Sequence, residues 1–176
     1  DLGQNISGHA QLDLQAPAGT VIRLRYAEWL KGNGQIDRAN IMSHMQKTQP
    51  PQPFQTDIYI CKGGDRETWE QRFSYSGFQY VEVSGFPGKL TADNIRGRFA
   101  HTAFEKAGEF ACSDKGLNQL QHMVEMSYLA NSQNYPTDCP QREKNGWTAD
   151  AHLTVDLGLL NYHSQAFYEK WLQDFG

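Results

Sequence analysis

The sequence has few cysteines, and they are widely separated. Its 176 residues contain Cys61, Cys112 and Cys139. An odd count at such spacing fits neither a disulfide framework nor the paired ligands of a zinc site. We therefore expect three free thiols.

The sequence also lacks long apolar runs and any concentration of positive charge. Its apolar runs, such as residues 157–160, are only a few residues long, whereas about 20 are needed to cross a bilayer. The net charge is -4 without a Lys/Arg run, so we expect neither a membrane span nor a nucleic-acid partner. The chain begins at Asp1 without a charged and apolar leader, so any signal peptide has been removed or lies outside these residues.

The first 105 or so residues carry apolar residues at every second position, separated by Gly and Pro. In residues 21–29, Ile22, Leu24 and Tyr26 alternate with Arg23 and Arg25, which predicts a strand with one buried face. Further strands are predicted at 8–15, 56–62, 78–84 and 94–100. Residues 32–54 show no sustained period and contain three prolines, which favours a long loop. Residues 62–65 (KGGD) resemble a hairpin turn.

After about residue 105 the period becomes helical. Ser113 is the predicted cap of a first helix with Leu117, Leu120, Val124 and Tyr128 on one stripe. A second helix is predicted from about Thr148 and a third after Ser164. Strands followed by helices predict two domains in series, a β-sandwich over 1–105 and an all-α segment over 106–176. The apolar stripes lack a partner layer of comparable size, so we expect the helical part to be incomplete.

Residues 135–150 (YPTDCPQREKNGWTAD) are dense in chemically active groups. They contain three carboxylates, two bases, two prolines and a tryptophan. Cleavage of a sugar needs a carboxylic acid, a second carboxylate, groups that bind hydroxyls, and an apolar face. Glu143 could be the acid if burial or the nearby Asp138 and Asp150 keep it protonated, although Arg142 and Lys144 would oppose this.

Each of these residues also has a simpler interpretation. Asp138 could be a turn residue, and Asp150 could serve the first turn of the second helix. Glu143 and its basic neighbours could form a solvated charge cluster. Trp147 could be a core residue rather than a sugar platform.

Residues 138–144 (DCPQREK), followed by 146–148 (GWT) and Asp150, resemble the signature of the bacterial α-L-rhamnosidases of glycoside hydrolase family 78. The likeness extends over nearly the whole chain. Segments resembling the family's β-sandwich are 1–5 (DLGQN), 17–20 (PAGT), 25–28 (RYAE), 73–81 (FSYSGFQYV) and 85–88 (GFPG). Residues 110–113 (FACS) resemble the entry to its (α/α)6 catalytic barrel.

The resemblance implies an inverting glycosidase that removes terminal, non-reducing α-L-rhamnose from rhamnosides. By position in the motif, Glu143 is implied as the general acid. Asp138 and Asp150 match acids that hold the rhamnose hydroxyls, and Arg142 and Trp147 match further wall residues. No cofactor and no metal are implied, and a bacterial cytoplasmic, periplasmic or secreted location all remain possible.

The family's general base is a glutamate on a helix far downstream of the motif. Asp156, Glu169 and Asp174 do not occupy a matching context. We therefore expect the base to lie outside these residues, in the remainder of the barrel, and the 176 residues alone to be inactive, since half of an inverting pair activates no water.

Other candidate sites are weaker. His101, His122, His152 and His163 lack ligand spacing, which favours structural or surface roles. Cys139 has no histidine near it in sequence, so a buried thiol is favoured over a nucleophile.

Two rival functions remain open: a carbohydrate-binding or interdomain β-sandwich without catalysis of its own, and a helical-barrel enzyme with another glycosidase or lyase activity.

Overall fold

The computed structural model describes residues 1–44 and 53–176, and these fall into two compact units, Asp1–Phe99 and Ala100–Gly176. The first unit is built from strands and the second from helices. The strands are β1 Ile6–Leu14, β2 Val21–Ala27, β3 Trp29–Leu30, β4 Ile36–Asp37, β5 Thr56–Ile60, β6 Glu67–Glu70, β7 Ser76–Phe78, β8 Tyr80–Ser84 and β9 Ile95–Phe99. The helices are α1 Ala39–Met42, in the first unit, and α2 Lys115–Ala130, α3 Thr148–Asn161 and α4 Gln165–Gln173 in the second.

The core of the first unit lies between two antiparallel sheets. In one sheet β1 pairs with β6 and β7 and also with β9, and in the other β2 lies between β5 and β8. The predicted alternation of β2 is confirmed, because Ile22, Leu24 and Tyr26 are fully buried while Arg23 is exposed. The apolar faces of the two central strands form one cluster with Phe78, comprising Ala10, Leu12 and Leu14 of β1 and Ile22, Leu24 and Tyr26 of β2. This is the sandwich predicted from the period-two pattern.

The predicted strand at 78–84 is two strands in different sheets. β7 pairs with β1, whereas β8 pairs with β2, and Gln79 separates them. The Gln79 N–H donates to the carbonyl of Ala27 at 3.0 Å, while its carbonyl accepts from the N–H of Leu2. The chain therefore changes sheets at one residue, as strands do at the corner of a sandwich.

Two further predictions for the first unit were wrong in part. The 62–65 turn does not close a hairpin, because β5 before it pairs with β2 and β6 after it pairs with β1. The predicted loop at 32–54 contains β4 and the single-turn helix α1, and β4 pairs with β3. Local hydrogen bonds stabilise these short elements without an apolar period. The central part of that predicted loop, 45–52, lies outside the described residues.

The helices of the second unit begin and end close to the predicted positions, but the cap of α2 differs. Asp114, not Ser113, is the N-cap, and its carboxylate accepts from the N–H groups of Gly116 and Leu117 at 2.7 and 3.2 Å. Aspartate and serine are equally good caps, so their order in the sequence does not decide between them.

An aromatic cluster forms the core of the helical unit. Tyr128 on α2 stacks on Tyr162, with ring centroids 5.6 Å apart, and Phe104 packs against both rings. The buried members of the cluster are Tyr128, Ala151, Tyr162, Phe167, Tyr168 and Trp171. Leu117 and Leu120, at the other end of the predicted α2 stripe, remain about half exposed. The stripe is thus covered only near its C-terminal end.

Among the described residues, no helix is both long and apolar enough to cross a membrane.

Candidate active site

The connection between α2 and α3 carries the predicted site residues on a closed loop. The Asp138 N–H donates to the Asn145 carbonyl at 3.0 Å, and the Asn145 N–H donates to Asp138 Oδ1 at 2.8 Å. Buried Pro136 and Pro140 stiffen the segment at either side of Asp138. Because both ends of the 138–145 loop are joined by hydrogen bonds, the side chains between them project from a defined backbone.

Two further contacts fix the C-terminal half of this loop. The Tyr135 hydroxyl donates to the Lys144 carbonyl at 2.8 Å, and Lys144 has a φ of 56°, which is uncommon for a residue other than glycine. A Cβ added to Gly146 would lie 3.0 Å from Trp171 Nε1 and 3.2 Å from Tyr135 Cδ2. The glycine therefore lets the loop pass close to the aromatic core of the helical unit.

Glu143 lies at the end of a turn within this loop. Trp147 Nε1 donates to Glu143 Oε2 at 3.3 Å, and Arg142 Nε lies 4.0 Å from Glu143 Oε1. The Glu143 side chain is 35% exposed. The Glu143 carboxyl group can therefore contact a substrate that binds from solvent, while the hydrogen bond from Trp147 restricts the orientation of the carboxyl group.

Asp138 and Glu143 also lie close together, with Cys139 between them. One ligand atom from each of these three residues lies within 4.8 Å of the others. Cys139 Sγ donates to Asp138 Oδ2 and accepts from the Glu143 N–H, both at 3.3 Å. Sulfur and carboxylate oxygens are possible ligands of a cation such as Zn²⁺, but here the thiol is hydrogen-bonded within the loop.

A cavity of about 410 Å³ opens between α2, α3 and the start of the loop. Asp138 and Asp150 contribute carboxylates to it, and Asn131, Thr137 and Thr154 contribute further polar groups. Much of the remaining wall is apolar, formed by Leu120, Met123, Val124, Tyr128, Pro136, Leu153 and Leu157. An apolar cavity of this size with a few polar groups suits one small ligand such as a monosaccharide.

The structure thus places the five predicted residues in two groups. Asp138, Arg142 and Glu143 belong to the 138–145 loop, and Trp147, which contacts Glu143, is the residue just before α3, whereas Asp150 is exposed in the first turn of α3. Asp138 belongs to both groups, since it closes the loop and lines the cavity. Within the described residues, Arg142, Glu143 and Trp147 do not line that cavity.

Sequence reasoning missed the residues that support the loop. Thr137 is buried, and both its N–H and its hydroxyl donate to the Asn131 carbonyl, at 2.8 and 3.1 Å. Asn145 acts through its backbone, so its side-chain type gave no signal. Cys139, expected to be a buried thiol, is only half-buried, and its sulfur is hydrogen-bonded to Asp138 and Glu143. The expectation of three free thiols is confirmed.

Two buried polar atoms of the loop have no hydrogen-bond partner among the described residues. They are Gln141 Oε1 and Arg142 Nε. Burial without a partner costs about 1–3 kcal/mol. No hydrogen bond within the described residues offsets this cost at either atom.

Both halves of the chain match known families. Residues 1–101 match the family described as the bacterial alpha-L-rhamnosidase concanavalin-like domain. Residues 105–176 match the bacterial alpha-L-rhamnosidase six-hairpin glycosidase domain. The sheet unit followed by the helical unit agrees with this order of domains.

Relatives and solved structures give the same result. A curated alpha-L-rhamnosidase of Streptomyces avermitilis is 39% identical over 99% of this chain, and one of Formosa agariphila is 35% identical. The crystal structure of a Streptomyces avermitilis alpha-L-rhamnosidase complexed with L-rhamnose superposes on 99% of this chain with a TM-score of 0.89 and is 39% identical to it. The structure of the alpha-L-rhamnosidase from "Dictyoglumus thermophilum" also superposes on 99% of this chain, with a TM-score of 0.89 and 38% identity. The chain spans only 16% and 18% of the two curated relatives, and 16% and 19% of the two solved structures.

Proposed function

The chain belongs to the bacterial α-L-rhamnosidase family, and from this premise we propose that it is part of an enzyme that hydrolyses terminal, non-reducing α-L-rhamnose from rhamnosides with inversion at the anomeric carbon. The observation that carries the proposal is the closed loop 138–145, which holds two carboxylates and a tryptophan contact in one place. These are the groups that protonate a glycosidic oxygen and hold a sugar.

Glu143 is the proposed general acid. Its carboxyl group is accessible, accepts from the indole N–H of Trp147 and projects from a backbone fixed by the Asp138–Asn145 hydrogen bonds. A proton donor has to stand within hydrogen-bond reach of the leaving oxygen. The partial exposure of the Glu143 carboxyl and its fixed backbone support this role.

Asp138, Arg142, Trp147 and Asp150 are the proposed substrate-binding residues. The two aspartates face the cavity between α2 and α3, where carboxylates can accept hydrogen bonds from sugar hydroxyls. The exposed indole of Trp147 offers an apolar face to a sugar ring. The Nε atom of Arg142 is buried and has no hydrogen-bond partner in the described residues. A substrate oxygen could be that partner.

We also propose that the helices are the first of an (α/α)6 barrel, that the catalytic domain begins near residue 106, and that the general base is supplied by the rest of that barrel. Exposed leucines on α2 and α3 that do not line the cavity support this, namely Leu117 and Leu160. A helix of a globular protein buries its apolar stripe against a neighbour. Further helices of the same domain would cover these side chains.

The proposal is tested by replacing Glu143 in the full-length protein. Glu143→Gln should lower kcat for p-nitrophenyl α-L-rhamnoside by about two to three orders of magnitude, because the amide cannot donate a catalytic proton. The loss should be larger for an alkyl rhamnoside, whose leaving group depends more on protonation. Glu169→Gln, at an exposed position of α4, is the control and should leave kcat unchanged.

Three results would contradict the proposal. Full activity of the Glu143→Gln variant would show that Glu143 is not the general acid. Retention of the anomeric configuration in the released sugar, measured by NMR, would show that the enzyme does not invert. Absence of rhamnoside hydrolysis by the unmodified protein would refute the activity itself.

A further inference from the structure

The thiol of Cys139 links the two carboxylate residues of the proposed site. Its S–H donates to Asp138 Oδ2 at 3.3 Å, and its sulfur accepts from the Glu143 N–H at 3.3 Å. Contacts of this length are ordinary hydrogen bonds for sulfur, which is a weak donor and a weak acceptor. A single side chain therefore contacts both residues.

The first of these contacts completes the constraints on the Asp138 carboxylate. Its Oδ1 accepts from the Asn145 N–H at 2.8 Å, so each carboxylate oxygen has one partner within the loop. The orientation of the Asp138 carboxylate about its side-chain torsions is thereby set from both sides. Without the thiol, Asp138 Oδ2 would lose its hydrogen-bond partner within the loop.

The second contact of the Cys139 sulfur is with the backbone N–H of Glu143. Glu143 ends a turn that begins at Pro140, and its amide is four residues from Cys139. Fixing that amide fixes the point from which the Glu143 side chain extends. A displacement of about 1 Å in a reacting group can lower a rate by about a hundredfold.

We infer that Cys139 is a positioning residue, which holds the Asp138 carboxylate and the backbone N–H of Glu143 in place relative to one another through two hydrogen bonds. It does not contact the reacting atoms and forms no covalent bond with substrate. The inference rests on the proposed function, because fixing the backbone of Glu143 affects the rate only if Glu143 is the acid.

The experiment compares Cys139→Ala with Cys139→Ser in the full-length protein. Alanine removes both hydrogen bonds, whereas serine keeps a donor and an acceptor on a shorter side chain. We expect Cys139→Ala to lower kcat for p-nitrophenyl α-L-rhamnoside by about 10- to 100-fold with a smaller change in KM. Serine should recover most of the loss. Cys112→Ala, at an exposed thiol outside the loop, is the matched control and should retain kcat.

A second measurement reports the geometry without relying on activity. Amide hydrogen exchange of the peptide covering residues 140–145 should become at least about tenfold faster in Cys139→Ala than in the unmodified protein, because the Glu143 N–H loses its acceptor. Serine should restore slow exchange. Thermal unfolding of the variants should stay within a few degrees of the unmodified protein.

The inference would be overturned by an alanine variant within twofold of normal kcat, by equal losses for alanine and serine, or by unchanged exchange. None of these results concerns the proposed function, which fails instead if the unmodified protein does not cleave rhamnosides or if Glu143→Gln is fully active.

Discussion

Asp138 accepts the backbone N–H of Asn145 at 2.8 Å, and in return its own N–H donates to the Asn145 carbonyl. The same aspartate lines the cavity between α2 and α3. One carboxylate therefore closes the loop with one oxygen while it faces a ligand-sized space. Structural and binding roles coincide at this residue, and variants can separate them.

Asp138→Asn should separate the two roles. The amide keeps an oxygen that accepts the Asn145 N–H, so the free energy of unfolding should fall by less than for Asp138→Ala, in which the loss should be about 1–3 kcal/mol. Both variants lose the negative charge, so KM for an aryl rhamnoside should rise by at least about tenfold in both. Urea denaturation and steady-state kinetics measure the two effects. The exposed Asp156 of α3, changed to Asn, is the control.

Equal destabilisation by Asp138→Asn and Asp138→Ala would contradict the structural role. An unchanged KM in both would contradict the binding role.

A side chain at Gly158 should destabilise the fold, because α3 packs closely against Tyr128 of α2 there. A Cβ at this position would lie 2.7 Å from Tyr128 Cζ, and the neighbouring atoms of that ring belong to the aromatic core. Gly158→Ala should therefore lower the free energy of unfolding by about 1–3 kcal/mol, although alanine alone favours a helix by about 1 kcal/mol. Gly32→Ala, with open space at its Cβ, should be close to neutral. Urea denaturation of both variants would measure the difference, and a stabilised Gly158→Ala variant would contradict the observed packing.

Trp147→Phe tests the contact between the indole and the proposed acid. Phenylalanine keeps an aromatic face but lacks the N–H that donates to Glu143 Oε2. We expect kcat for an aryl rhamnoside to fall by about tenfold, equivalent to about 1.4 kcal/mol in the barrier. Trp29 is also exposed but lies in the sheet unit, so Trp29→Phe is the control and should leave kcat unaltered. Equal kinetics for the two variants would show that the indole N–H has no role.

The sequence predicted most strongly the features that depend on local period. The alternation of Ile22, Leu24 and Tyr26 predicts a strand buried on one face, and four-residue spacing predicts α4 after Ser164. The division of 78–84 between two sheets was not predictable in this way, because Gln79 looks like any polar strand residue. Its role depends on distant partners, Ala27 and Leu2.

The candidate site shows the same limit. The residue types in 138–150 indicate sugar chemistry, and the motif resembles a known family. The closure of the loop depends on backbone groups of Asn145 and on a positive φ at Lys144. Neither is encoded by a recognisable residue type, since lysine and asparagine are common in any exposed segment. The position of Cys139 between the two carboxylate residues follows from that closure and could not be predicted before it.

The last prediction concerns stability at low pH, which depends on Glu67 in the sheet unit. Its carboxylate accepts from the Tyr59 hydroxyl and from the N–H groups of Lys62 and Gly63, at 3.1 and 3.0 Å for the two amides. The hydrogen bond from Tyr59, followed by those from the backbone, lowers the pKa of Glu67 below its ordinary value of 4.5, although burial opposes this. The same hydrogen bond, with burial and the nearby charge, raises the pKa of Tyr59 to about 12.

A carboxylate whose pKa is lower in the folded state stabilises the fold above its unfolded-state pKa, and this stabilisation is lost as the pH falls through the folded value. The free energy of unfolding should therefore fall from about pH 4.5 downward as Glu67 takes up a proton. Glu67→Gln should be less stable than the unmodified protein at pH 7, and the difference should shrink as the pH falls below 4.5. Urea denaturation at a series of pH values measures this, with the exposed Glu109→Gln as control. A difference that stays constant with pH would show that Glu67 contributes by packing and not by its charge.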